Sequence, residues 1–308
     1  MALCSVRRSM RTHLAKAVAS QRVQLLHADI PHLAADKSLL LQLRKTTGYS
    51  FSNCKKALET FKNDVKQAEN WLHEQAQKEG WSKAVRLEGR RAKEGVIAQL
   101  MGDRVAVMLE VNCETDFVAR NETFHSLVRD VAFATMAHHC SRTGVQSEYV
   151  KTVLSGDDLS KLCVCEGASL AERLALAVGR LGENIALRRA VALGVPAEWH
   201  IGSYVHGASL GQTDVAMGRY GALVVFQSGQ GEAETMGRKL GQHIVGEAPL
   251  SLGSMEDLSC GDSETRLLPQ PFLAEPSKTV AQFLSEQGAR VLDFVRFQCG
   301  EGDHDTKQ

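Results

Sequence analysis

The chain has no excess charge of either sign, no long apolar run, no matched cysteine pairs and no catalytic signature. Each absence narrows what it does. Its 36 basic and 36 acidic residues cancel over 308 positions, which argues against a protein whose main work is to coat nucleic acid. No stretch of 18 apolar residues occurs, so no segment reads as a membrane-spanning helix. Eight cysteines are scattered, and only Cys163 and Cys165 lie close together. A zinc site needs a matching second pair, so the set reads as free thiols of a reducing compartment. A Walker A loop, a GxGxxG turn, a GxSxG elbow and an HExxH helix are all missing. His138 and His139 are adjacent and point to different sides of a helix. Cys113 has no histidine near it in sequence, and a nucleophile needs a base; it reads as a buried strand thiol. The chain reads as a binding protein, with no catalytic residues, no metal ligands and no cofactor.

Acids are also absent from the first 28 residues, which carry Arg7, Arg8, Arg11, Lys16 and Arg22 among small and apolar residues. That composition fits a mitochondrial transit peptide, with no unbroken apolar core of the secretory kind. No aromatic residue is interleaved for base stacking. Residues 1–37 are therefore read as a transit peptide or a disordered basic tail, with the mature chain starting between 28 and 38.

Residues 38–78 predict three short helices. Leu39, Leu40 and Leu43 form one face, ended by Thr46-Thr47-Gly48-Tyr49 with Gly48 as a left-handed cap. Ser52 is placed to cap a second helix, whose inner side is Cys54, Ala57, Leu58 and Phe61. Asp64, with Gln67 three residues on, opens a third, with Val65, Ala68, Trp71 and Leu72 inward. The pattern resembles a ubiquitin-associated domain, read as a docking module in preference to a plain helical core. Residues 79–94 read as a charged helical linker.

From residue 95 the chain repeats one architecture. Residues 95–100 and 105–111 predict a hairpin across Gly102-Asp103. Helices follow at 124–136 and 170–181, then a strand at 185–191. Residues 202–207 and 220–226 predict a second hairpin, with helices at 234–244 and from 280, and a closing strand at 291–297. The fold class is α+β: a three-helix domain, then two similar core subdomains, 95–195 and 196–302, each a small antiparallel sheet packed with helices. Residues 141–168 and 246–272 read as exposed connections, and 303–308 as a polar tail.

The stretch between the first hairpin and its helix is the centre of the chain: Glu110-Val111-Asn112-Cys113-Glu114-Thr115-Asp116-Phe117-Val118-Ala119-Arg120-Asn121. An acid beside a large aromatic at a strand-to-helix junction is either a helix cap with a buried ring or a probe for another molecule. This block resembles the elongation factor Ts family. So do Leu43-Arg44-Lys45-Thr46-Thr47-Gly48 with Asn53-Cys54-Lys55-Lys56-Ala57-Leu58, and Leu181-Gly182-Glu183-Asn184-Ile185. Gly202-Ser203-Tyr204-Val205-His206-Gly207, Gln270-Pro271-Phe272, Glu275-Pro276-Ser277-Lys278-Thr279-Val280 and Val295-Arg296-Phe297 match as well. The resemblance covers nearly everything after residue 38, and the basic N-terminus points to the mitochondrial branch.

The resemblance implies a guanine-nucleotide exchange factor for mitochondrial elongation factor Tu, acting in the matrix. It implies that Thr115, Asp116, Phe117 and Val118, with Leu181, meet the partner's GTPase domain. Arg44 and Phe51 match positions through which the three-helix domain contacts the same domain, and the second core copy docks on the partner's third domain. No direct nucleic-acid or membrane contact is implied. Bacterial members carry a long helical hairpin where this chain has only residues 246–268, and a further C-terminal module, so contacts made by those parts do not carry over. The competing readings are a ubiquitin-binding adaptor built on 38–78 and a thiol enzyme using Cys113 or Cys54. The resemblance also leads to the expectation that the Phe117 ring is exposed in the free protein, with Thr115 or Asp116 capping its helix.

Overall fold

A computed structural model describes residues 35–301, apart from 48, 50, 88, 144–147, 165–166, 209–213 and 229–231. The transit peptide lies almost wholly outside the described residues, as do the Gly48 cap, Cys165 and the polar tail. The chain divides into two compact units, Met1–Leu72 and His73–Gln308.

In the first unit, helices α1 (Lys37–Thr47) and α2 (Phe51–Thr60) precede the start of α3 (Val65–Leu87), whose residues from His73 on belong to the second unit. Leu40 and Leu43 from α1, Cys54, Ala57 and Leu58 from α2, and Ala68 and Leu72 from α3 are buried. Leu39, Phe61, Val65 and Trp71, expected inward, are only half-buried. Lys62 and Asn63 take left-handed backbone conformations, and Asp64 Oδ1 then accepts from the Gln67 N–H at 3.1 Å to open α3. Two expectations change. Helix α2 starts at Phe51, so Ser52 lies inside its first turn instead of capping it. Helix α3 is not short: it runs 23 residues to Leu87, through the first part of the segment read as a helical linker. Gly80 does not end the helix, since one glycine costs only about 1 kcal/mol in a helix interior. A Cβ there would lie 1.9 Å from the Ala175 carbonyl oxygen, so the glycine is what lets the helix approach that backbone.

The second unit is built on two antiparallel sheets. The first comprises β1 (Glu94–Met101), β2 (Val105–Cys113), β3 (Val150–Ser155), β4 (Ile185–Gly194) and, from further along the chain, β6 (Val215–Gly218), in the order β3-β4-β2-β1-β6. The second holds β5 (His200–His206), β7 (Tyr220–Ser228) and β10 (Ala289–Gln298), in the order β10-β7-β5. A small ribbon, β8 (Pro271–Phe272) with β9 (Glu275–Thr279), lies apart. The helices are α4 (Asp116–Ala119), α5 (Glu122–Thr143), α6 (Gly156–Ser160), α7 (Leu170–Leu181), α8 (Ala233–Glu247) and α9 (Val280–Glu286).

Side-chain alternation sorts these strands into three apolar layers. Val107, Leu109 and Val111 of β2 join a core with Phe124, Leu127, Val131 and Val178 from α5 and α7. Ala106 and Met108, on the opposite face, meet Leu223, Val225 and Phe297 of the second sheet. Ala222, Val224 and Phe226 of β7 then pack with Met236, Leu240 and Ile244 of α8 and with Phe283 and Leu284 of α9. The unit is thus helix, sheet, sheet, helix. Both faces of β2 and β7 are buried, which is why those strands read as almost unbroken apolar runs. Gly202 of β5 and Gly237 of α8 let helix and strand touch: a Cβ on Gly202 would lie 2.4 Å from the Gly237 Cα.

The two regions read as exposed connections contain structure. Residues 141–168 include β3 and α6, with Leu154 and Leu159 buried. Residues 246–272 are mostly irregular, but Leu267, Leu268 and Phe272 are buried. The chain also crosses between sheets: β6, from the break inside the second hairpin, pairs antiparallel with β1 from Ile97↔Gly218 to Leu100↔Val215. A buried charge ties the far end of the second sheet to β2. Glu110 accepts from Arg189 Nε at 2.8 Å and from the Gly300 N–H at 2.8 Å. The Arg189 guanidinium lies over the Phe297 ring at 4.1 Å.

Candidate docking site

Strand β2 delivers the chain to the edge of the sheet. Cys113 is its last residue; it is fully buried, and burial pushes its thiol up to about 12. Burial also raises the Cys54 thiol. At both positions burial disfavours the thiolate that nucleophilic chemistry uses. Thr115 then takes an extended conformation and caps α4, its Oγ1 accepting from the Val118 N–H at 3.4 Å. The cap is Thr115; Asp116 occupies the first helical position.

One turn of helix separates two kinds of side chain. Val118 and Ala119 face the core and are buried. Phe117, about 100° around the helix from Val118, is 81% exposed. A buried ring is therefore excluded for the free chain. Asp116 is half-exposed and pairs with Arg120 one turn on, at 2.9 Å. So exposed an ion pair is worth well under about 1 kcal/mol and leaves the carboxylate open to competition. Asn121 Oδ1 accepts from the Thr123 N–H at 2.8 Å, and α5 follows directly.

Leu181, the last residue of α7, is half-buried against the same core. Gly182 ends that helix in the left-handed region at φ 78°, with open space where a Cβ would be. The next two residues return to the cap. Glu183 accepts from the Thr115 N–H at 3.1 Å and from its hydroxyl at 2.7 Å. In the other direction Glu114 accepts from the Asn184 N–H at 2.8 Å. Asn184 Nδ2 donates to the Arg90 carbonyl at 2.9 Å, and the Arg90 guanidinium stands 3.5 Å from Glu114. The structure thus brings Thr115, Asp116, Phe117, Val118 and Leu181 to one edge. Arg44 and Phe51 lie in the first unit, both exposed, on α1 and at the start of α2. Glu114, Glu183 and Asn184 carry geometry that sequence reading gave no role. Their only signal was their place in the two motif blocks.

A cleft of about 400 Å³ adjoins Asp116, lined by Arg120, Glu122, His125, Arg129 and Arg219 among others. Its guanidinium groups are already matched: Arg120 with Asp116, Arg129 with Glu122, and Arg219 with Glu94. Among the described residues no cluster of three or more His, Cys, Asp or Glu is placed to hold a metal ion, and the described cysteines are free. No described helix is long and apolar enough to cross a membrane.

Comparison with known proteins places the chain in a class. Residues 23–82 match the family profile described as "Elongation factor Ts, mitochondrial, N-terminal", and residues 114–259 match "Elongation factor TS". The class is that of translation elongation factors. The chain is 67% identical over 306 residues to elongation factor Ts, mitochondrial, of Salmo salar, covering 99% of each chain. It is 51% identical to the Xenopus laevis protein of the same name, over 95% of this chain and 96% of that one. It is also 51% identical to the Homo sapiens protein, over 88% and 85%. The chain belongs to the elongation factor Ts family, in its mitochondrial form.

Proposed function

We propose that the chain is the guanine-nucleotide exchange factor of mitochondrial elongation factor Tu, working in the matrix. The observation that supports this most is Phe117. A large apolar ring stands in solvent on a helix whose other side is anchored in the core. An isolated exposed ring needs no explanation, but one held this firmly at an edge suits insertion into a partner.

The mechanism follows from how GTPases hold GDP. Phosphates sit on a loop and a helix N-terminus, with a Mg²⁺ ion that demands near-ideal octahedral geometry. The Phe117 ring enters between helices of the GTPase domain, Asp116 makes polar contacts beside it, and Leu181 packs against the same region. Moving those helices disturbs the Mg²⁺ site and the phosphate loop, and GDP leaves. Arg44 and Phe51 hold the first unit to the GTPase domain, while the second half of the core grips the third domain. Linkage requires that exchange factor and nucleotide weaken each other's binding equally, so GTP in excess expels the factor. No covalent bond changes, and the chain needs no cofactor of its own. The test is to mix the purified chain with elongation factor Tu loaded with fluorescent GDP. Accelerated release is expected; release at the intrinsic rate across all concentrations of the chain would sink the proposal.

A further inference from the structure

Three helices of the second unit begin with a side-chain box closed within their own first turn. Ser155 with Asp158, Ser169 with Glu172, and Thr279 with Gln282 each exchange both bonds of the motif. In such a box the cap hydroxyl serves the backbone three residues on, and the acid or amide there reaches back to the N–H of the cap. Helix α4 cannot close its box this way. Its third position is Val118, which is buried in the core and has no acceptor. The missing acceptor comes from 68 residues away: Glu183 takes both the Thr115 N–H and its hydroxyl proton. That hydroxyl is thereby oriented, with a lone pair left for Val118. Glu114 returns the bond by accepting from the Asn184 N–H. Each loop sends a glutamate to the backbone of the other.

We infer that Glu183, with Glu114 as its counterpart, is a positioning residue for exchange. The clasp fixes the direction of the Phe117 ring relative to Leu181. A helix of one turn has no stability of its own. Unclasped, it frays when the ring meets the partner, and the displacement goes into α4 and not into the GTPase domain. The role rests on the exchange reading above, but its structural half does not.

Hydrogen exchange on the free chain comes first. Glu183→Ala should deprotect the amides of residues 118–120 while the amides of β2 and β4 stay protected; unchanged protection at 118–120 overturns the clasp whatever the function. Release of fluorescent GDP from elongation factor Tu is then followed against chain concentration. Glu183→Ala should lower the maximal rate about tenfold, as expected for a small misplacement of a working group, with less than a twofold change in the half-saturating concentration. Glu183→Gln, which keeps one acceptor, should recover most of the rate. In a Phe117→Ala background, Glu183→Ala should cost less than twofold more. A full tenfold further loss there, or a wild-type maximal rate for Glu183→Ala alone, overturns the inference. Should Glu183→Ala not fold, Glu114→Ala removes the other half of the clasp and carries the same tests. If the unaltered chain does not accelerate release, the exchange reading has failed, and hydrogen exchange still decides the clasp.

Discussion

The two halves of the core share a plan and part company at one junction. In each, a hairpin is followed by a strand that returns beside its second member: β1-β2-β4 in one half, β5-β7-β10 in the other. In each, helices cover the outer face. After β2 the chain makes a capped one-turn helix, clasped from outside, and leaves Phe117 in solvent. The helix that follows β7, α8, is a long one that starts at Ala233 with Glu232 in the cap position and no side-chain cap bond. The same scaffold thus tolerates a loosely ended helix where packing alone suffices. It over-determines the junction that carries the exposed Phe117 ring.

Matched substitutions put that comparison at risk, beginning with the largest effect. Phe124→Ala and Phe226→Ala each empty a fully buried site, one in each half, and each should cost about 3–5 kcal/mol. Because the sheets pack face to face, both should lower one shared unfolding transition, read by two spectroscopic probes in denaturant. Two separate transitions would mean that the halves are independent. Acid comes next. Each half buries a histidine whose proton affinity burial lowers, His139 and His243. His243 is pushed down to about 4. Its Nδ1 accepts from the Leu273 N–H, and Gln270 Oε1 lies 3.1 Å from its Nε2. The unfolded chain takes up that proton near pH 6.5, so the stabilisation is complete above pH 6.5 and is lost as pH falls toward 4. The loss from this group amounts to about 3 kcal/mol. Denaturant titrations at pH 7 and 4.5 should show it, and His243→Gln should flatten the difference.

Function should divide between the halves as well. Phe117→Ala should slow stimulated GDP release by roughly thirtyfold or more, the usual cost of truncating an aromatic anchor, while the circular dichroism of the chain stays unchanged. Leu273, half-exposed in the second half, should act on affinity instead: Leu273→Ser should raise the half-saturating concentration about fivefold at an unchanged maximal rate, as for a modest interface contact. The smallest effect is expected from Asp116→Ala, under about threefold, because its carboxylate is solvated and already shared with Arg120. If Asp116→Ala proved as damaging as Phe117→Ala, the aromatic-wedge mechanism would be wrong.

Much of this architecture could be read from the amino acids because it is local. The hairpin around Gly102, the helix from Leu170 to Leu181 and its stop at Gly182 follow from periodicity and capping chemistry. Strand β3 escaped because Leu154 is its one buried side chain; pairing with β4 makes it a strand, and no short window contains that partner. Strand β6 escaped for the same reason: four residues acquire their structure from β1, more than 100 positions earlier. The edge carrying Phe117 was legible as a strand-to-helix junction with two opposite meanings, and the family resemblance favoured the exposed ring. The bond from Glu183 to Thr115 was invisible, since it depends on where two distant turns end up.

Strand β6 also decides what can be cut from this molecule. It leaves the second half of the sequence to finish the sheet of the first, so the sequence boundary near residue 195 is not a seam in the solid. A fragment ending there would bare the outer edge of β1 from Ile97 to Leu100, an open template for pairing with other chains. A fragment beginning there would carry an orphan strand. The halves resemble each other as if copied, yet neither is a part that can be lent to another protein.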